Sequence, residues 1–229
     1  MSAFAVWRGP PLSRRVKVGL GVVGGLLAAG LGLRALARGT LALPAPGTSE
    51  GATSYAARVR VEVARHPELR GHEATLFGLL AHESAGFDPV VVDGRKRSPT
   101  GALGIAQFTG VGAGEVRRLM ELRDWRARFD DAPQLQERLL NFQKDRDAIT
   151  PAVAIPAAAL FLAFWARQYR GNLDAALTQY NAGTRAAQLV AARGSHAAAL
   201  PELRALPANQ RSQADVYVPW VVEAARAYA

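Results

Sequence analysis

Apolar positions divide the chain into three parts. The first holds an uncharged apolar run, Val18–Leu33, between Lys17 and Arg34. As a helix its 16 residues would reach roughly 24 Å at ~1.5 Å per residue, a little short of a ~30 Å hydrocarbon core. The flanking cations can snorkel and extend it. Arg8, Arg14, Arg15 and Lys17 precede the run and only Arg34 and Arg38 follow it within the segment, which puts the N-terminus in the cytoplasm and the rest of the chain outside. Residues 1–39 therefore read as a basic tail and a transmembrane anchor, with a cleaved signal peptide ending near Ala35-Leu36-Ala37 as the alternative. Residues 40–53 read as a linker, because LPAPGTSEGATS at 43–54 gathers Pro, Gly, Ser and Thr in a short space.

From residue 54 to 229 apolar residues recur at helical spacing. The pattern predicts helices over Ser54–Arg65, from Glu68 or Arg70 to Glu83, and over Gly114–Leu122, Pro133–Lys144, Pro151–Arg170, Leu173–Tyr180, Thr184–Arg193 and Val218–Tyr228. Pro133 and Pro151 fall where a first helical turn tolerates proline. Residues 86–110, dense in Gly, Pro and Asp, read as loop or short extended structure. The fold class expected is mostly α, a helical domain behind a membrane or signal segment.

Composition narrows the function. Hydrophobic residues make up 49% of the chain, enough for a sizeable core without staples. Cysteine is absent, which excludes a disulfide framework and a thiolate metal site. The formal net charge is +9, and residues 1–52 hold six of the 28 Lys and Arg but only one of the 19 Asp and Glu. More than half of the excess therefore lies near the N-terminus. No basic recognition helix or aromatic RNA platform accompanies it, so a nucleic-acid partner is not expected. A polyanionic envelope or lipid surface suits this charge. The four histidines, His66, His72, His82 and His196, lack partners at ligand spacing, and neither a metal nor a cofactor is called for.

The candidate chemistry lies in GLLAHESAGFDP, residues 78–89. Glu83 closes a helix whose face, Ala74, Phe77, Leu80 and Ala81, broadened by Leu76 and Leu79, reads as nearly fully buried. A carboxylate there is desolvated and also meets the negative end of the helix dipole. Both effects favour the protonated form and raise the pKa. A carboxylic acid protonated near neutral pH is what general-acid cleavage of an acetal requires. His82 projects about 100° away on the helix, toward the surface or a supporting position.

HESAGFDP, TGALGIAQFT, AALTQYNAG and DVYVPWVV occur in this order. Together they resemble the four signature segments of the soluble lytic transglycosylase catalytic domain family, a lysozyme-like, mostly helical family acting on peptidoglycan. The similarity covers about residues 68–229, and with the Val18–Leu33 run it resembles a membrane-tethered variant. The resemblance implies Glu83 as the single catalytic acid/base, with Ser84, Gln107, Phe108, Tyr180, Asn181 and Tyr217 as substrate-binding residues. By the same resemblance, the Tyr180 hydroxyl approaches the catalytic carboxylate or the sugar, and Tyr217 stands at the far side of the cleft. Read from residue type alone, Ser84 caps the chain where the helix ends, Gln107 is a loop amide bonding the backbone, Tyr180 belongs to the core, and Asn181 and Gly183 form a turn.

The chain departs from the family pattern at Ala106 in place of Met, Ile105 in place of Leu, Phe161 in place of Tyr, and Gln213-Ala214 in place of Glu-Thr. It also has an insertion of about five residues, Asp93–Arg97, reading DGRKR, either a solvated loop or a grip for acidic glycan, peptide stem or phosphate polymer. The QFTG sequence resembles variants carried in phage particles and secretion machines, so an envelope or virion assembly partner is one option. The implied reaction cleaves the MurNAc–GlcNAc bond of peptidoglycan glycan strands and leaves 1,6-anhydro ends, with the catalytic domain on the extracytoplasmic side. A hydrolase using Asp88 or Asp93 as a second carboxylate and a non-catalytic wall-binding scaffold stand as alternatives.

Overall fold

The computed structural model describes residues 50–207 and 213–228; the apolar run 18–33 and residues 40–49 of the linker lie outside them. Helix α1, Glu50–Arg65, is followed by a 3-10 turn, Pro67–Leu69, and by α2, Glu73–Glu83. Short helices α3 (Pro89–Val92), α4 (Gly110–Glu121) and α5 (Arg123–Arg126) come next, then a second 3-10 turn, Ala127–Phe129. Helices α6 (Pro133–Leu140), α7 (Lys144–Asp147) and α8 (Pro151–Gln168) lead to α9 (Leu173–Ala182), α10 (Thr184–Arg193), α11 (His196–Ala205) and α12 (Tyr217–Tyr228). Among the described residues there is no β-strand; one antiparallel bridge, Leu103 to Phe108, closes a loop.

The mostly helical class expected from the sequence is the one found. Several boundaries differ for local reasons. Helix α1 takes in Glu50–Thr53, which the sequence pattern assigns to the linker; no proline lies between Pro46 and Pro67 to interrupt it. The segment 86–110 contains α3, started by Asp88, whose carboxylate accepts from the Val90 N–H, and by Pro89 in the first turn. The expected helix Pro133–Lys144 ends at Leu140, and α7 is separate from it. Helix α11, which carries Pro201 inside it, is not among the helices expected from the sequence.

Helix α8 organises the core. It is long and apolar enough to cross a membrane, but most of it is buried inside the domain. Its alanines, Ala154, Ala157, Ala158, Ala159, Ala163 and Ala166, are fully buried and let α1, α4 and α9 approach closely. A smaller cluster, Ala175, Ala186, Val190, Ala199 and Leu203, joins α9, α10 and α11. His196 straps that unit to the next segment. Its backbone N–H donates to Asp174 Oδ2 at 2.9 Å, and its Nε2 meets the Ala214 carbonyl at 2.6 Å. The chain just before α12 is thereby fixed.

Helix α12 returns across the domain and lies along α2. Gly78 sets their separation. A Cβ there would stand 2.6 Å from the Val221 carbonyl oxygen and 2.7 Å from the Ala225 nitrogen, both backbone atoms. Gly78→Ala therefore tests the packing with an unusual sign. Within a helix this change ordinarily stabilises by ~0.5–1 kcal/mol. Here overpacking should cost ~1–3 kcal/mol instead, so the thermal midpoint followed by circular dichroism should fall. A raised midpoint would contradict the close approach.

Candidate active site

The end of α2 is built to stop the helix while leaving its last side chain available. Ser84 is fully buried. Its Oγ donates to the Leu80 carbonyl at 2.7 Å and accepts from the Phe87 N–H at 3.0 Å. The Ala85 and Gly86 N–H groups donate to the carbonyls of His82 and Ala81. Ala85, Gly86 and Phe87 all have positive φ, at 54°, 77° and 65°. The two non-glycine residues store strain there. Phe87 is held by ring contacts with Phe77 at 4.9 Å and Tyr55 of α1 at 5.2 Å. Ser84 thus serves as the helix stop, not as a substrate ligand: its hydroxyl is enclosed and spent.

Glu83 is partly buried. Tyr217, the first residue of α12 and 1% exposed, donates its hydroxyl to Glu83 Oε1 at 2.6 Å. Burial pushes the Glu83 carboxyl from its ordinary 4.5 up to about 7, while the Tyr217 hydrogen bond pulls the other way. His82 packs edge-on to Tyr217 at 5.2 Å and against Trp220 at 5.3 Å. Burial lowers its pKa to about 4, so it is neutral and cannot hold the Glu83 charge as a cation.

Tyr180 reaches the site from α9. Its hydroxyl donates to the Ala106 carbonyl at 2.7 Å, and its ring meets Phe161 edge-on at 5.4 Å. Burial, and secondarily the Glu83 charge, raise its pKa well above the ordinary value. The hydroxyl that bonds the carboxylate is therefore that of Tyr217, and Tyr180 anchors the 101–108 loop beside it. Tyr217 is not across the cleft from the acid but in contact with it.

The 101–108 loop is closed by the Leu103–Phe108 bridge. A Cβ on Gly104, at φ 75°, would overlap the Ala148 carbonyl. Gln107, at φ 47°, donates its Nε2 to the Gly104 carbonyl at 2.9 Å, so this amide braces its own loop. Phe108 is 4% exposed and stacks edge-on with Phe142 at 5.1 Å; its ring belongs to the core, not to a substrate surface. Asn181 stays helical, and the turn after it is made by Gly183 at φ 80°. Ala106 is fully buried, so the small residue at this position repacks the interior. In the inserted loop, Arg95 pairs with Asp93 at 3.3 Å and Arg97 with Asp145 at 3.2 Å.

The family model for the transglycosylase SLT domain matches residues 66–199. This chain belongs to that family. The matched span contains Glu83, Gln107 and Tyr180 and stops before Tyr217. No curated protein and no solved structure matches the chain. Membership supports a lytic transglycosylase-type function on peptidoglycan.

Residue-level resemblance pointed to Glu83 and Tyr217 separately, and their contact across 134 positions was not legible. A hydrogen bond to a charged group is worth ~1.5–3 kcal/mol, which corresponds to roughly one to two pKa units. Because the Tyr217 bond favours the carboxylate, Tyr217→Phe should raise the Glu83 pKa further. The alkaline limb of kcat/KM should move upward by about one unit. A limb that stays in place or moves downward would contradict the assignment.

Proposed function

We propose that Glu83 cleaves the β-1,4 bond between N-acetylmuramic acid and N-acetylglucosamine and leaves a 1,6-anhydromuramoyl end. The observation that carries the reading is Glu83 itself: a desolvated carboxyl at about 7, hydrogen-bonded by one buried phenol. In the protonated form it delivers a proton to the glycosidic oxygen as the C1–O bond breaks. The substrate's acetamido group stabilises the oxocarbenium-like carbon. Glu83, now a carboxylate held by Tyr217, takes the proton of the muramic 6-hydroxyl, whose oxygen closes on C1. The proton lent in the first step is thus restored in the second.

A second carboxylate is not needed when the substrate supplies its own nucleophile. The causes of the Glu83 shift include no other acid. Asp88 is engaged as the cap of α3, and Asp93 is paired with Arg95. These features favour the anhydro route over a two-carboxylate hydrolase. We also propose that residues 18–33 tether the domain at the outer face of the cytoplasmic membrane for local opening or remodelling of the wall. Extraction of the native protein by alkaline carbonate, or a mature N-terminus near Arg38, would contradict the tether.

The chemistry is tested by mass analysis of fragments released from purified peptidoglycan. Wild-type protein should release anhydro ends. Glu83→Gln should lose at least about 10²–10⁴-fold, since one group serves both steps. Asp88→Asn and Asp93→Asn should remain within roughly tenfold, or about 1.4 kcal/mol of barrier. Reducing ends would identify a hydrolase, and no release at all would identify a binding scaffold.

A further inference from the structure

The contact between Glu83 and Tyr217 needs more than the two residues that make it. Tyr217 approaches from another helix, and its hydroxyl lies at the end of a long side chain that turns about two bonds. A modest rotation about either bond carries the hydroxyl out of reach of Oε1. The backbone of Tyr217 is placed by its N–H, which donates to the Gln213 carbonyl at 2.8 Å. That fixes where the side chain starts. Where the ring points is left to its neighbours.

His82, beside Glu83 in the last turn of α2, is the neighbour in the right place. Its ring meets Tyr217 edge-on, with centroids 5.2 Å apart and planes at 81°. On α12, Trp220 stands three residues after Tyr217, so the two rings share one face of the helix. Pro219 between them sits in the first turn, where a missing N–H costs no intrahelical bond and the fixed φ stiffens the backbone. The Trp220 ring lies 5.3 Å from the same imidazole, tilted by 32°. His82 thus touches two rings of α12 at once. Burial lowers its pKa to about 4, so while Glu83 titrates the imidazole is neutral and acts through contact, not charge. The other titratable groups facing Glu83 among the described residues are Tyr217 from α12 and Tyr180 from α9, both with pKa values raised well above the ordinary one.

We propose that His82 is a positioning residue: set against Tyr217 and Trp220, its ring holds the Tyr217 phenol in the orientation that donates to Glu83. Trp220 supports the imidazole in turn. The backbones of α2 and α12 are already held together at Gly78, so loss of the His82 ring should leave the helices packed and release the phenol alone. The consequence for cleavage rests on the reading of Glu83 as the proton donor; the ring geometry does not.

The test is the pH titration of the Glu83 carboxyl, followed by NMR in the full-length protein without substrate. The variants are His82→Ala, His82→Phe, Trp220→Ala, Tyr217→Phe and the double variant His82→Ala with Tyr217→Phe. A released phenol donates to the carboxylate less often, so His82→Ala should raise the Glu83 midpoint by about 0.5–1 unit, at most the shift from losing the bond outright. Trp220 is half-buried, so Trp220→Ala keeps the test valid should His82→Ala not fold, and it should move the midpoint in the same direction. His82→Phe keeps a ring in place and should stay within about 0.3 unit of wild type. In the Tyr217→Phe protein there is no bond to lose, and adding His82→Ala should give no further rise. A histidine that only shields the site would, when removed, let water reach Glu83 and lower the midpoint with or without the Tyr217 hydroxyl. That result would overturn the proposal. So would an unchanged midpoint in both His82→Ala and Trp220→Ala, an equal rise with and without the Tyr217 hydroxyl, or a shift in His82→Phe as large as in His82→Ala. The wild-type midpoint reports on Glu83 as the proton donor and the differences among variants report on His82, so failure of one is distinguishable from failure of the other.

Discussion

The hydrogen bond from Tyr217 to Glu83 is the contact on which the site depends. It brings together the last residue of α2 and the first residue of α12. The two helices must pack within backbone distance, which Gly78 permits. The chain entering α12 must also arrive at a fixed place, and His196 secures it through the Ala214 carbonyl. Burial of Glu83 then follows from the fold and not from its own surroundings in sequence. The same burial opposes the fold at high pH. A carboxyl whose folded pKa is raised favours the native state below about 4.5, and that contribution is lost as pH rises through about 7. Burying this carboxyl thus carries a cost in stability above about pH 7.

The loops around Glu83 show the same priority. Among the described residues, three of the four non-glycine residues with positive φ, Ala85, Phe87 and Gln107, follow the acid or lie in the loop that Tyr180 anchors. Strain of this kind persists where the surroundings over-determine it. Here the constraints are visible: Phe87 is held by two rings, Gln107 by its own amide, and Ala106 by the Tyr180 hydroxyl. A rigid frame of this kind fixes the surroundings of the Glu83 carboxyl.

Much of this was legible before the structure. The helical periods of α1, α8, α9 and α10 located those elements, and the apolar face of α2 marked Glu83 as an unusual carboxylate. What failed was burial at individual motif positions. Ser84 and Phe108 sit beside the candidate residues Glu83 and Gln107 in sequence but face inward, because adjacent positions on a helix end or a tight loop point in different directions. The Tyr217 contact depends on how distant helices pack, which local periodicity does not encode. Helix α11 left only a weak signal, because its ten residues include Pro201, a residue that helices disfavour.

The central claim is that the fold holds Glu83 protonated near neutral pH. The most direct measurement is an NMR titration of the side-chain carboxyl carbons in isotope-labelled protein, with the Glu83 signal assigned by its absence in Glu83→Gln. The midpoint should lie at about 7. A midpoint at the ordinary glutamate value of about 4.3 would contradict it, because an ionised Glu83 would have no proton to give the glycosidic oxygen.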